Sequence, residues 1–311
     1  MGKVLAVCIS ERKGTQKQNV GSAVFVEDWG LEGDAHAGKW HRQVSLLSGE
    51  KIDAFRAKGA EVEDGAFGEN LVVEGIDFAK LPVGTRFRCG EVVLELTQIG
   101  KECHNGCAIF QKMGECIMPR EGVFAKVLKE GIIRPGDEMR VKLPDENRPL
   151  TAAVITLSDK GARGERKDES GPVAKEMLEQ AGYEVVETLL IPDEPALLKT
   201  QLMRLADGRQ VDLILTSGGT GFSLRDQTPE ATMAVADRNA PGIAEAIRYR
   251  SLQITDRAML SRGASVIRKK TLIVNLPGSP KAVKESLGFI LDSLEHGIKI
   301  LRGSASECAR P

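Results

Sequence analysis

Aromatic residues are scarce, at 4% of the chain with 2 Trp and 2 Tyr. Single-stranded nucleic acid is usually held by stacking bases on aromatic rings, so this scarcity argues against that ligand class. An excess of charge of one sign is also missing. The 43 Lys and Arg against 44 Asp and Glu leave a net charge of −1, with no basic stripe to follow a phosphate backbone. An anionic ligand must therefore be held by local donors rather than by the field of the whole molecule. No apolar run approaches the ~18 residues that a membrane span needs. The start, Met1 to Ser10, carries too short an apolar run for a secretory leader and reads as a first strand. Ala6 also breaks the myristoylation pattern after Gly2. The 6 cysteines are dispersed over positions 8, 89, 103, 107, 116 and 308. They form no disulfide framework, and free thiols in a reducing cytoplasm are expected. Two phosphate motifs are absent as well. There is no Gly-x4-Gly-Lys-Ser/Thr, and Leu224 stands where a dinucleotide fingerprint begun by Gly219-Thr220-Gly221 would need its last glycine.

What is present suffices for two domains, since 311 residues can enclose two cores. A polar, proline-containing stretch from Pro144 to Leu150 separates two kinds of pattern. We take 1–143 as one domain, 144–150 as a linker and 151–311 as the second domain. The first part is strand-rich: Lys3–Ile9, Ser22–Val26, Gln43–Leu47, Glu69–Val73, Val83–Phe87 and Glu91–Thr97 alternate or run apolar between turn residues. Only Glu50–Lys58 and Glu121–Lys129 read as helices. Many short strands with few helices predict a barrel or sandwich.

The second part alternates strand and helix. Ala152–Leu157, Glu184–Leu190, Val211–Thr216 and Thr271–Asn275 read as strands. Helices open at Ser170, at Asp193-Glu194-Pro195, at Pro241 and at Ser279-Pro280. This order predicts a three-layer α/β domain with a mostly parallel sheet, whose ligands collect at the carboxyl ends of the strands. The chemistry-bearing residues fall at those ends: Ser158-Asp159, Pro192-Asp193-Glu194, Ser217 to Asp226, and Pro277-Gly278-Ser279. The third loop is the richest. The 211–216 strand breaks at Ser217-Gly218-Gly219-Thr220-Gly221 and helix resumes at Thr228, the expected N-cap, with Pro229 in the first turn. Strand, glycine loop and helix present bare N–H groups to an anion, although such a turn also serves as a plain tight connection. Asp226 adds a carboxylate beside the loop. Asp193 is open to two readings, a functional acid or the cap of the helix begun at Pro195.

In the first part, Glu102-Cys103-His104 and Cys107, with Cys116 further on, leave three readings: a zinc site short of ligands, partly buried thiols, or a reactive thiol at Cys103 favoured by Lys101, His104 and Arg120. The basic runs Ser261-Arg262-Gly263 and Arg268-Lys269-Lys270 read either as a solvated face or as extra contacts for an anion.

Two resemblances sharpen these expectations. Ser217-Gly218-Gly219-Thr220-Gly221-Phe222, followed by Arg225-Asp226-x-Thr228-Pro229-Glu230-Ala231-Thr232, resembles the molybdopterin-binding signature of the molybdopterin adenylyltransferase family. That resemblance implies adenylylation of molybdopterin by MgATP, with pyrophosphate released. It implies that Asp193 and Asp226 are the catalytic acids that bring in Mg²⁺ with ATP. Ser158, Ser217, Gly218, Gly219, Thr220, Gly221, Glu230, Pro277, Gly278 and Ser279 would hold the substrates. Relatives usually carry Asn or Gln where Ser279 stands. Separately, Gly33-Asp34-x-His36-Ala37-Gly38, Gly65-x-Phe67-Gly68-Glu69-Asn70-Leu71, Glu102-Cys103-His104, Met118 to Gly122 and Ile133 to Asp137 look like a MOSC domain, known from molybdenum cofactor sulfurases. This implies a β-barrel that binds a pterin cofactor or carries sulfur on one thiol, here Cys103. The joint expectation is a cytoplasmic protein of molybdenum cofactor biosynthesis that handles a pterin and a nucleotide, with no nucleic-acid or membrane partner. Relatives suggest a homo-oligomer, a trimer, and handover to a molybdate-inserting enzyme. The alternative is a carrier that binds molybdopterin without catalysis.

Overall fold

The computed structural model describes residues 1–101 and 108–303. The chain divides into two compact units, Met1–Asp145 and Glu146–Pro311.

The first unit is built on a closed seven-stranded barrel. Its order runs Glu138–Lys142, Arg86–Cys89, Val92–Ile99, Val123–Lys129, Val44–Ser48, Leu71–Glu74 and Gly2–Ile9, and Gly2–Ile9 returns to pair with Glu138–Lys142. Neighbours are antiparallel except Val44–Ser48 and Leu71–Glu74, which run parallel. A small sheet of Gly131–Ile133, Ala23–Val26 and Gly30–Leu31 accompanies it. Inward side chains such as Val44, Leu46, Leu71, Phe87, Leu94, Leu96 and Val123 fill the barrel. Outward ones pack beneath the helix Gly49–Arg56, where Leu47, Ile52, Phe55 and Phe67 form a second cluster. A register shift between Val4 and Ala6 lets Val4 and Val7 both join the inner core despite their odd spacing.

One expected element is wrong in kind. The stretch 121–129, read as a helix, is the strand Val123–Lys129. Its Val123, Phe124, Ala125 and Val127 are buried, whereas Lys126 and Lys129 turn outward, where charges spaced by three simulate a helical face.

The second unit is a six-stranded sheet between two helical layers, in the order Glu184–Ile191, Thr151–Leu157, Leu213–Ser217, Thr271–Leu276, Ser265–Arg268 and Arg238–Asn239. The sheet is mixed. Its first four strands are parallel, and Ser265–Arg268 folds back antiparallel on Thr271–Leu276 with Arg238–Asn239 antiparallel beyond it. Strand alternation feeds both faces. Ala152, Val154, Leu213, Leu215 and Val274 pack on the helices Ser170–Gln180, Pro241–Leu252 and Pro280–Arg302. Ala153, Ile155, Ile214 and Ile273 pack on Pro195–Met203 and Thr228–Ala234. The four parallel strands therefore end together at one edge. At the other end, buried Asp212 ties down two other segments: it accepts from Thr151 N at 2.7 Å, and from Arg302 Nε at 2.6 Å and Arg302 Nη2 at 2.5 Å. No helix among the described residues is long and apolar enough to cross a membrane.

Candidate active site at the carboxyl edge of the sheet

The loops after Thr151–Leu157, Glu184–Ile191, Leu213–Ser217 and Thr271–Leu276 border one cavity of about 340 Å³. Of the residues named from sequence, Ser158, Asp193, Gly218, Gly219, Asp226, Gly278 and Ser279 line it.

Backbone requirements shape the glycine loop. Gly218 has φ +107° and Gly219 φ +63°, conformations that L side chains rarely adopt. A Cβ on Gly218 would lie 2.5 Å from the Leu157 carbonyl oxygen. One on Gly219 would lie 2.3 Å from Thr228 Oγ1 and 3.4 Å from Asp193 Oδ1, so the loop is bare where Asp193 faces it. Thr228 starts the helix Thr228–Ala234 without capping it; Gln227 is the N-cap residue. The Thr228 hydroxyl is buried beside Gly219, with no hydrogen-bond partner among the described residues.

Asp193 does not cap the Pro195 helix either. It exchanges bonds with Asp159: Asp159 N donates to Asp193 Oδ2 at 3.0 Å, and Asp193 N donates to Asp159 Oδ1 at 3.0 Å. Burial raises the Asp193 carboxyl above its usual range, and the charges of Asp159 and Asp226 push the same way. Asp159 goes the other way, lowered first by hydrogen bonds from Arg225. Arg225 forks onto Asp159 at 2.8 and 2.9 Å and reaches Glu194 at 3.4 Å. It thereby ties the glycine loop to both preceding loops. Asp226 accepts from Ser223 N at 3.0 Å, and its Oδ2 lies 2.9 Å from where a Cβ on Gly221 would sit.

Two hydroxyls at the edge serve as helix caps. Ser158 Oγ accepts from Gly161 N at 3.0 Å and Ser279 Oγ accepts from Ala282 N at 3.2 Å. Each accepts with a lone pair and keeps its O–H proton for a ligand. Ser170, expected as a cap, is itself held by Asp168, which accepts from Ser170 N at 3.1 Å and Gly171 N at 3.0 Å.

Other named residues support the loop from behind. Ser217 Oγ donates to Pro277 O at 3.0 Å. Thr220 is buried, and its carbonyl accepts from Arg262 N at 3.0 Å. Gly221 O accepts from Arg262 Nε at 2.7 Å. Glu230, expected against a ligand, is half exposed and paired with Arg262, away from this cavity. Arg262 also borders a second cavity of about 430 Å³, with Ser261, Arg248 and Asn239. The 268–270 run is a hairpin turn. Arg268 and Lys269 pair with Asp207 there, and Lys269 takes φ +51°. Sequence reading missed Arg166, Lys167 and Asp168, which form part of the cavity wall. The only available signal was their position after a strand-end loop.

In the first unit, two of the motif blocks, Gly33–Gly38 and Gly65–Leu71, meet around Asp34. Its buried carboxylate accepts from Lys17 Nζ and Asn70 Nδ2, and Asn70 Nδ2 also donates to Cys8 O at 3.0 Å. Burial opposes the Asp34 charge, but bonds from His36, Lys17 and Asn70 outweigh it and hold the carboxyl below its usual range. Fully buried Glu69 accepts from Gly65 N at 2.7 Å and Phe67 N at 3.0 Å. Burial nevertheless pushes its pKa up to about 7. Burial likewise raises Cys8 to about 12 and Cys89 to about 11, so neither is a ready nucleophile. Cys103, His104 and Cys107 lie outside the described residues. Among the described residues no group of three or more His, Cys, Asp or Glu is placed to hold a metal ion.

Comparison with known proteins agrees with both halves. A probable molybdopterin binding domain matches residues 153–296, and a MOSC domain matches residues 33–140. The molybdopterin adenylyltransferase of Escherichia coli strain K12 is 44% identical over 156 residues, which is 48% of this chain and 80% of that protein. That of Haemophilus influenzae is 45% identical over 145 residues, 46% of this chain and 74% of that protein. A crystal structure of a molybdopterin biosynthesis enzyme from Thermus is 46% identical, covers 50% of this chain and 97% of its own, and superposes with a TM-score of 0.48. Through its second unit the chain belongs to the molybdopterin adenylyltransferase family, and it carries a MOSC domain ahead of that unit.

Proposed function

We propose that the second unit adenylylates molybdopterin with MgATP, as a step of molybdenum cofactor biosynthesis. One observation carries the reading: Asp193 and Asp226, from different loops, line one cavity with Gly218 and Gly219 of the phosphate-type loop. A terminal phosphate oxygen of the pterin attacks the α-phosphorus of ATP. The bond from that phosphorus to the bridging oxygen breaks, and the electron pair leaves with pyrophosphate. Such transfers depend mainly on alignment and on charge neutralisation.

The chain's own residues supply the alignment. The Gly218 N–H is used within the fold, donating to Leu276 O at 3.2 Å, so the N–H groups of Gly219 to Gly221 and the O–H groups of Ser158 and Ser279 receive phosphate oxygens. Ser217 and Pro277 hold two of the loops together, and Arg262 braces Thr220 and Gly221 from behind. The unpartnered Thr228 hydroxyl under the loop fits a site completed by a polar ligand or water. Asp193 and Asp226 suit the magnesium that accompanies the nucleotide, because that ion takes one or two carboxylates and fills its remaining positions with water and phosphate oxygens. Bound there, it would withdraw charge from the reacting phosphates. Glu230 contributes through Arg262 rather than by direct contact. The MOSC unit receives or carries the cofactor through Cys103 in this reading.

The test is pyrophosphate release from ATP in the presence of molybdopterin by the full chain. Release that depends on the pterin supports the enzyme. Tight pterin binding without release would make the protein a carrier instead.

A further inference from the structure

The nucleotide's triphosphate has to enter a cavity whose wall carries Asp168, Glu169, Asp193 and Asp226. Other arginines near this edge are already committed. Arg163 is paired with Glu165 at 2.8 Å, Arg225 with Asp159 and Glu194, and Arg262 with Glu230 and the loop carbonyls. The cationic side chains on the cavity wall are Arg166 and Lys167. Among the described residues neither side chain has a hydrogen bond or an ion pair.

Their position is built in. The turn that carries them is pinned on both sides. At its start the Arg163–Glu165 pair closes over Gly164, at φ +74°, and Glu165 N donates to Lys160 O at 2.9 Å. At its end Asp168 is gripped by Thr156 Oγ1 at 2.8 Å and by the first N–H groups of the Ser170–Gln180 helix. Gly171 packs so closely on Asp168 that a Cβ there would lie 2.4 Å from Asp168 Oδ2. The pinned turn thus carries two unpaired cations at the wall of an acidic cavity, and neither charge is strained there, since both remain exposed to water.

We propose that Arg166 and Lys167 grip the β- and γ-phosphates of the nucleotide and, after transfer, the departing pyrophosphate. The assignment rests on the adenylyltransferase reading and adds the residues that recognise the leaving group. As the bond between the α-phosphorus and the bridging oxygen breaks, negative charge grows on the pyrophosphate side. A guanidinium fork and an ammonium placed there stabilise the transition state more than the bound substrate. The glycine loop and the two hydroxyls are left for the pterin phosphate and the α-phosphate.

The test uses the full chain and the variant Arg166→Gln/Lys167→Gln, with Arg166→Lys as a charge-retaining control. Calorimetry with magnesium pyrophosphate alone reads the grip without turnover. At least a tenfold loss of pyrophosphate affinity is expected in the double variant, with most of it restored in Arg166→Lys. Molybdopterin binding, followed by fluorescence, should be unchanged. With turnover, kcat/KM for ATP should fall by about 100-fold, one tenfold step per charge-assisted contact. Unchanged pyrophosphate affinity, or a loss confined to molybdopterin binding, would overturn the proposal. A wild-type chain that binds magnesium pyrophosphate through these residues but never releases it from ATP would sink the enzyme reading and leave the anion grip standing. The unfolding midpoint of each variant checks that exposed substitutions have left the fold intact.

Discussion

Gly218→Ala is the sharpest probe of the cavity, because its consequences follow from backbone geometry alone. Gly218 holds φ +107°, and an added Cβ would lie 2.5 Å from the Leu157 carbonyl oxygen and 3.4 Å from its carbon. That is roughly 0.8 Å inside ordinary C···O contact. Gly278 also packs near this loop, since a Cβ on it would lie 3.3 Å from Gly218 Cα. The unfavourable φ costs about 1–3 kcal/mol. Relieving the overlap costs about as much again. Leu157 ends a strand paired on both sides, so the loop is the part that yields. A displacement of about 1 Å at groups that align reacting phosphates lowers turnover by about 100-fold. Thermal unfolding and pyrophosphate release measured on the same sample separate the two effects: a modest fall in midpoint with a large fall in turnover is expected. Gly242→Ala is the control. Gly242 sits in the first turn of the Pro241–Leu252 helix, and an added Cβ there meets nothing within 4 Å. That variant should unfold no more easily than the parent and turn over as fast. A Gly218→Ala chain with parental turnover would refute the claim that the loop's backbone position aligns the substrates.

Asp193→Asn and Asp226→Ala should each lower pterin-dependent pyrophosphate release by about 100-fold or more. Parental rates in either would remove that residue from the catalytic assignment. Asp212→Ala should destabilise the second unit by about 3–5 kcal/mol in urea unfolding, because it leaves the Arg302 guanidinium without the carboxylate that receives it. A change too small to resolve would mean that the Thr151 and Arg302 bonds are idle. The first unit should show opposing pH effects. Glu69, raised from 4.5 to about 7, holds its proton more tightly folded than unfolded, so this group's contribution is fully favourable below about pH 4.5. It falls by about 3 kcal/mol as pH rises through 7. Asp34 is depressed, so its contribution is present at neutral pH and is lost in acid. Unfolding of the first unit at several pH values tests both, and Glu69→Gln should flatten the neutral slope; an unchanged slope would rule Glu69 out as its source.

The glycine loop at a strand end and the Ser279 cap were legible because each rests on residues adjacent in sequence, where local conformational preference dominates. What was misread depends on partners far along the chain. Val123–Lys129 looked helical by charge spacing and became a strand because Val44–Ser48 and Val92–Ile99 pair with it on either side. Arg268 and Lys269 looked like a basic patch because Asp207, their partner, lies 61 residues from Arg268. The mixed sheet has the same cause. Ser265–Arg268 is short and forms only by folding back on Thr271–Leu276 through the left-handed Lys269, whose N–H donates to Asp237 Oδ2 at 2.6 Å.

The cavity's electrostatics were the least legible, and they are what constrains the chemistry. Sequence reading counted Asp193 and Asp226 as acids waiting for magnesium, and did not see that Arg225, lying between them in the chain, is bound by Asp159 and Glu194. That commitment leaves Asp193 raised by burial and by two like charges, so the cavity resists further negative charge until cations arrive. In the adenylyltransferase reading proposed above, an anionic nucleotide enters such a place by bringing its own magnesium and by meeting cations on the wall. On that reading the acids select for the metal complex over the free nucleotide, and the turn at 163–169 supplies the remaining positive charge where pyrophosphate leaves. On that reading a chain without the turn's cations would still bind a phosphorylated pterin but would break the bond to the nucleotide's leaving group more slowly.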